Sequence, residues 1–204
     1  MKKSILCFGD SNTWGYHPKD GSRYPYEFRW TGRLQTSLGS NYHIIEEGLN
    51  GRTTCINEQE RLMRSAKDIL SVLLESHRPL SHVILMIGTN DLKTHFQRTA
   101  QNIADDLSDL CALIGDHPMF VDQRPKLILA APTGPDETCD QLPEWFKNTH
   151  PKWQALLTLL PRVAQNYGAR YLATETIMEM KFQDGLHWSD EQHKDFATAV
   201  LDLI

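Results

Sequence analysis

Short, unbroken apolar runs recur along this chain. Each gives way to a cluster of Gly, Asp, Ser, Asn or Pro, then to a longer stretch whose apolar residues return every three or four positions. Ile5-Leu6-Cys7-Phe8 is the first such run, and Val83-Ile84-Leu85-Met86-Ile87, apolar at every position, is the clearest. Runs of this length without polar alternation read as strands covered on both faces of a parallel sheet. Tyr42 to Glu46, Lys126 to Ala131 and Arg170 to Ala173 complete a set of five, the last being the weakest. Helical periodicity fills the intervals. It covers Glu27 to Leu38, stopped by Gly39, and about Glu60 to His77, where Leu62, Met63, Ala66, Ile69, Leu70, Leu73 and Leu74 share a stripe. It returns over Thr99 to Ile114, stopped by Gly115. Leu142 to Gly168 is mostly helical, but Pro151 and Pro161 interrupt it, so two pieces or a bend near Leu160 are expected. Ser189-Asp190-Glu191-Gln192 has the form of a capping box, opening a last helix to about Leu203.

Five strands alternating with five helices, with no repeat and no low-complexity linker, predict an α/β protein. Its layers are α/β/α around a parallel sheet, and 2-1-3-4-5 is the default order for a doubly wound sheet of five strands. At 204 residues the chain is read as one domain over 1–204 with a substantial core.

Composition narrows the range of partners. The 21 basic and 26 acidic residues give a net charge of −5, and the basic ones are scattered, so no nucleic-acid partner is expected. No apolar stretch approaches the ~18 residues that span a bilayer, so no membrane partner is expected either. Met1-Lys2-Lys3 imitates the start of a signal peptide. Ile5 to Phe8 is too short for its apolar core, however, and no cleavage site follows, so this segment is taken as the first strand of a cytoplasmic protein. Cys7, Cys55, Cys111 and Cys139 form no CxxC pair and imply no disulfide framework. Cys7 and Cys111 read as small buried hydrophobes, whereas Cys55 falls near a candidate loop. The sequence leaves self-association open.

The candidate chemistry lies in the loops after the strands. Ser11 follows the first strand, Gly51 the second, Asn90 the third, and Asp184 and His187 the fifth. In a parallel sheet these loops share one edge, where open α/β folds place their ligand crevice. Any one of them has a plain steric explanation, since turns collect Gly, Asp, Ser and Asn. Together they supply a hydroxyl nucleophile, an imidazole base, a carboxylate to orient it and donors for an oxyanion, which are the parts of serine acyl hydrolysis. Trp14, Tyr16 and Trp188 flank the nucleophile and base and are expected as aromatic walls of a substrate pocket.

These residues also carry a resemblance. Gly9-Asp10-Ser11-Asn12, Gly48-Leu49-Asn50-Gly51-Arg52-Thr53, Gly88-Thr89-Asn90-Asp91 and Asp184-Gly185-Leu186-His187 resemble, in order, the four blocks of the SGNH/GDSL hydrolase superfamily. The flanking residues are similar to its arylesterase and acyltransferase branch. The resemblance implies a flavodoxin-like fold and a Ser11-His187-Asp184 triad. It also implies an oxyanion hole from the Ser11 and Gly51 N–H groups and the Asn90 side chain. The expected reaction is hydrolysis of small acyl esters, with acyl transfer to alcohols, sugar deacetylation or thioester cleavage as variants on the same machinery. No cofactor and no metal are expected, since the nine histidines show no HExxH pattern. A flavodoxin-like binding module is the alternative of another class, and neither GxxxxGK[ST] nor GxGxxG supports it.

Overall fold

A computed structural model of the chain describes residues 2–58, 61–120 and 123–204. Its centre is a sheet of five strands in the order β2-β1-β3-β4-β5. These are β1 (Lys3–Gly9), β2 (Tyr42–Gly48), β3 (Leu80–Met86), β4 (Lys126–Ala130) and β5 (Arg170–Leu172), all parallel to their neighbours. The helices are the single turn α1 (Ser11–Trp14), then α2 (Trp30–Leu38), α3 (Ala66–Ser76), α4 (Ala100–Gly115), α5 (His150–Asn166) and α6 (Asp190–Leu201).

The period-two alternation of a strand divides the core into two layers. Leu6 and Phe8 of β1, with Val83 and Leu85 of β3, pack against α3, α4 and α5. Ile5, Cys7, Ile84 and Met86 point the other way, onto α2 and α6. Both faces are covered, which is why these strands are apolar at consecutive positions. The chain moves outward from β1 to β2 and then back across to β3. The order therefore reverses beside β1, and a crevice opens at the strands' C-terminal ends.

Several boundaries differ from the sequence expectation. The helix expected from about Glu60 begins only at Ala66, and Glu60 itself lies outside the described residues. Leu62 and Met63 share the helical spacing but are 68% and 57% exposed. Met63 has a left-handed φ of 61°, and the Asn57 side chain accepts from the N–H groups of Arg64 and Ser65 at 2.7 and 3.1 Å. An Asn offering such bonds competes with helix formation. The segment Glu27 to Leu38 is split as well: a 3₁₀ turn, Tyr26–Phe28, is followed by an extended Arg29 before α2 starts.

Pro161, expected to end or bend a helix, lies inside the continuous α5, while Pro151 occupies its first turn, where no N–H is needed. Pro161 is on the exposed side, so the carbonyl its ring leaves unbonded, that of Leu157, can turn to water. Trp153, Leu156, Leu160, Val163 and Ala164 hold the opposite face in the core. Their burial offsets the roughly 3 kcal/mol an internal proline costs. The capping box at Ser189 and Gln192 forms with both reciprocal bonds.

Candidate active site

The end of β1 turns at Asp10 directly into α1, whose first residue is Ser11. Asp10 caps that turn, its Oδ1 accepting from the Asn12 N–H at 3.0 Å, and burial pushes its carboxyl up to about 6. The turn packs tightly against β2: a Cβ on Gly48 would stand 2.1 Å from the Trp14 nitrogen. Ser11 is thereby fixed at the sheet's C-terminal edge with its hydroxyl toward the crevice.

The loop after β5 brings the imidazole to it. His187 Nε2 lies 2.9 Å from Ser11 Oγ, and His187 Nδ1 lies 2.6 Å from Asp184 Oδ2. Asp184 Oδ1 also accepts from the backbone N–H groups of Leu186 and His187, at 3.0 and 2.8 Å. Burial works to raise the Asp184 carboxyl, but the bonds from His187 and Leu186 outweigh it and hold it below its ordinary value. An ionised carboxylate only accepts, so Nδ1 carries the proton and Nε2 presents a lone pair to the Ser11 hydroxyl. The Tyr16 ring stacks on the imidazole, with centroids 4.0 Å apart and planes at 30°.

Gly51 and Asn90 share the crevice with Ser11 and His187. Ser11, Gly51, Asn90 and His187 line one cavity of about 310 Å³. Gly51 has φ 77°, a conformation that favours glycine, and a Cβ there would lie 2.7 Å from Arg61 Nη1. Asn90 donates one amide N–H to the Arg52 carbonyl at 3.0 Å, which orients the carboxamide and leaves a second N–H on the same nitrogen. Asp91 ties the two loops together. Its carboxylate accepts from the Thr54 N–H at 3.1 and 3.0 Å and from the Thr54 hydroxyl at 2.6 Å.

Four segments distant in sequence thus meet in one cavity, as expected for an acyl-transfer site. The model of the GDSL-like Lipase/Acylhydrolase family matches residues 7–194, nearly the whole chain. The chain belongs to this family. It is a carboxylic ester hydrolase of the SGNH/GDSL superfamily. Among solved structures it is similar to Est24, a carbohydrate acetylesterase from Sinorhizobium meliloti, at 35% identity and TM-score 0.90, covering 99% of this chain and 98% of that one. It is similar to the aryl esterase of M. smegmatis at 30% identity and TM-score 0.89, covering 98% and 97% of the two chains. A carbohydrate acetylesterase family member from Sinorhizobium meliloti follows at 27% identity and TM-score 0.88, covering 98% and 96%. A comparison with curated proteins gave no match.

The family site differs from the sequence reading in its walls. Tyr16 lines the cavity, but Trp14 and Trp188 do not. Trp188 is fully buried in the α2/α6 layer, against Phe196 with centroids 4.8 Å apart. Trp188 is held inward by these contacts and by its N–H, which donates to Asn12 Oδ1 at 3.1 Å. Trp14 is half-buried under the Arg23 guanidinium, 5.2 Å from its ring. The aromatic wall comes instead from Trp145 and Phe146, in the turn before α5. Both fall in the stretch from Leu142 expected to be mostly helical, whereas the helix starts only at His150, and nothing local tied them to the crevice.

Asn12 was also missed. Its Oδ1 accepts from the Trp188 N–H at 3.1 Å, while its Nδ2 lies 3.4 Å from both the Leu186 carbonyl and Thr133 Oγ1. It clamps the loop bearing Asp184 and His187 to the turn bearing Ser11. Cys55, close in sequence to Gly51, is held elsewhere: its Sγ donates to Asp106 Oδ2 at 2.9 Å. Burial first, and then Asp106, push that thiol up, which disfavours the reactive thiolate.

Proposed function

We propose that the chain is a serine esterase of small acyl esters, in which Ser11 is the nucleophile, His187 the general base and acid, and Asp184 the group that orients and stabilises it. The observation that carries this reading is the unbroken hydrogen-bond chain Asp184–His187–Ser11 opening onto a cavity also lined by Gly51 and Asn90. Ser11 Oγ attacks the ester carbonyl carbon as its proton passes to His187 Nε2. The carbonyl oxygen becomes an oxyanion, held by the N–H groups of Ser11 and Gly51 and the second N–H of Asn90. Collapse breaks the bond to the alcohol, which leaves with the proton from Nε2, and the acyl group stays on Ser11. Water, or a second alcohol in an acyl transfer, then attacks the acyl-enzyme by the same route in reverse.

The cavity's modest size supports a small acyl group, and likeness to Est24 supports sugar acetates as the second reading. The four free cysteines support a reducing, cytoplasmic setting. No helix among the described residues is long and apolar enough to cross a membrane. The substrate is a small-molecule ester, with no nucleic-acid or membrane partner. Treatment with a fluorophosphonate tests the assignment: the adduct should map to Ser11 and abolish turnover of aryl acetates, and labelling at Cys55 instead would refute it.

A further inference from the structure

The catalytic cavity is continuous with a larger groove. Arg61, Lys93 and Trp145 line the cavity and also a space of about 660 Å³ that runs on past Glu58, His95 and Phe96. Glu58 is the sole carboxylate among the described lining residues, and it is already engaged. It accepts from Lys93 Nζ, and His95 Nε2 lies 3.7 Å from the same oxygen. Burial works to raise the Glu58 carboxyl, but Lys93, Arg61 and His95 more than offset it and hold it below its ordinary value. Among the described lining residues one carboxylate therefore faces two permanent cations and an imidazole, which leaves these residues a positive surplus.

Arg61 stands at the junction of the two spaces. Its Nη2 donates to the Asn50 carbonyl at 2.8 Å, and its Nη1 reaches over Gly51. The planar guanidinium presents further N–H groups in a fork that matches a carboxylate. Beside it the walls are apolar: Trp145 is 48% exposed, and Phe96 lies under Lys93, with Nζ 5.7 Å from its ring centre. A half-exposed tryptophan facing a groove is an open apolar platform for a ligand.

The geometry points to this groove as the alcohol-side compartment of the active site, selecting esters whose alcohol carries a carboxylate on an aromatic or short apolar stem. This rests on the reading above, in which the small acyl group sits in the cavity at Ser11 and the larger half of the ester must extend beyond it. A neutral alcohol would use the walls alone. A carboxylated one would also meet Arg61 and the remaining Lys93 donors.

The test compares the acetyl esters of 4-hydroxybenzoate and 4-hydroxybenzamide, which differ in charge at one position. The ratio of their kcat/KM values in Arg61→Gln should be lower than in the parent by about three- to tenfold at low salt, while Arg61→Lys, which keeps the charge and loses the fork, should fall between the two. Taking the ratio between proteins cancels the intrinsic reactivity of the two esters and any shared loss from disturbing Asn50. A second readout needs no turnover. Free 4-hydroxybenzoate should quench tryptophan fluorescence in Ser11→Ala at lower concentration than 4-hydroxybenzamide, and Trp145→Phe should remove the signal. Discriminating binding without turnover would support the groove while counting against the esterase reading. Turnover of both esters at a ratio that ignores Arg61, or equal binding of the two alcohols, would overturn the groove and leave the esterase reading in place.

Discussion

Asn12 is the position where one substitution separates a folded protein from a well-aligned one. Its side chain is 2% exposed, and its strongest contact is the bond from the Trp188 N–H at 3.1 Å. Asn12→Ala leaves that buried N–H without a partner, at a cost of about 1–3 kcal/mol. The two contacts at 3.4 Å are at the long end of hydrogen bonding and contribute little. A loss near 2 kcal/mol, at roughly 2–4 °C per kcal/mol for a chain of this size, lowers Tm by about 4–8 °C. The kinetic effect should be larger. The clamp joins the His187 loop to the Ser11 turn, and a misplacement of about 1 Å between reacting groups costs on the order of 10²-fold. Steady-state hydrolysis of an aryl acetate should show kcat down roughly 10- to 100-fold with KM little changed. A folded Asn12→Ala protein whose kcat stays within about twofold of the parent would refute the clamp. A fall in Tm alone would place Asn12 in the fold and not in the alignment of the base.

Asn90→Ala should lower kcat by about 10²–10³-fold, or about 2.7–4 kcal/mol, with some activity surviving on the two backbone donors; kcat within a few-fold in a folded protein would misplace the oxyanion hole. Asp184→Asn should depress turnover severely, because an amide N–H facing Nδ1 favours the wrong tautomer. It should also change the acid limb of stability. The folded Asp184 carboxyl is held below its unfolded value, so the stability it adds is fully present above about pH 4 and is lost as pH falls through the folded value. Melting curves of Asp184→Asn should lack that part of the acid loss, and an acid limb identical to the parent's would contradict this. Asp10 has the opposite sign: raised to about 6, it binds its proton more tightly folded than unfolded, and stability falls as pH rises from the ordinary carboxylate range to about 6. Asp10→Asn keeps an acceptor for the Asn12 N–H, so it should gain Tm relative to the parent at about pH 8 and not at about pH 4; equal offsets at both would show that Asp10 is ionised without penalty.

The layered fold was legible because its signal is local. A strand covered on both faces must be apolar at consecutive positions, and Ile5 to Phe8 and Val83 to Ile87 are. The Ser189 capping box likewise announces itself within four residues. The meeting of the four candidate loops was legible for a different reason: parallel strands send all their C-terminal loops to one edge, so topology alone brings Ser11, Gly51, Asn90 and His187 to one cavity. Features decided by long-range contact were not legible. Leu62 and Met63 match the period of α3, but the Asn57 side chain, several residues upstream, holds their segment out of the helix. Pro161 is tolerated because of which face of α5 it occupies, a fact fixed by packing. Trp188 beside His187 looked like a pocket wall, whereas its bond to Asn12 and its packing on Phe196 seat it in the core. Asn12 is tied to the site by contacts spanning more than a hundred residues, and the Trp145 carbonyl accepts from Thr94, 51 residues away; no spacing rule reports those.

With Ser11 as nucleophile, ester cleavage passes through an acyl group on its Oγ. Rapid acid quenching of the enzyme during turnover of an aryl acetate, followed by digestion and mass analysis, tests it most directly. One acetyl group should appear on the peptide that carries β1 and α1, located at Ser11, formed and lost at rates competent for turnover. Full turnover with no acetylated protein, or acetyl found only on Cys55 or His187, would contradict it.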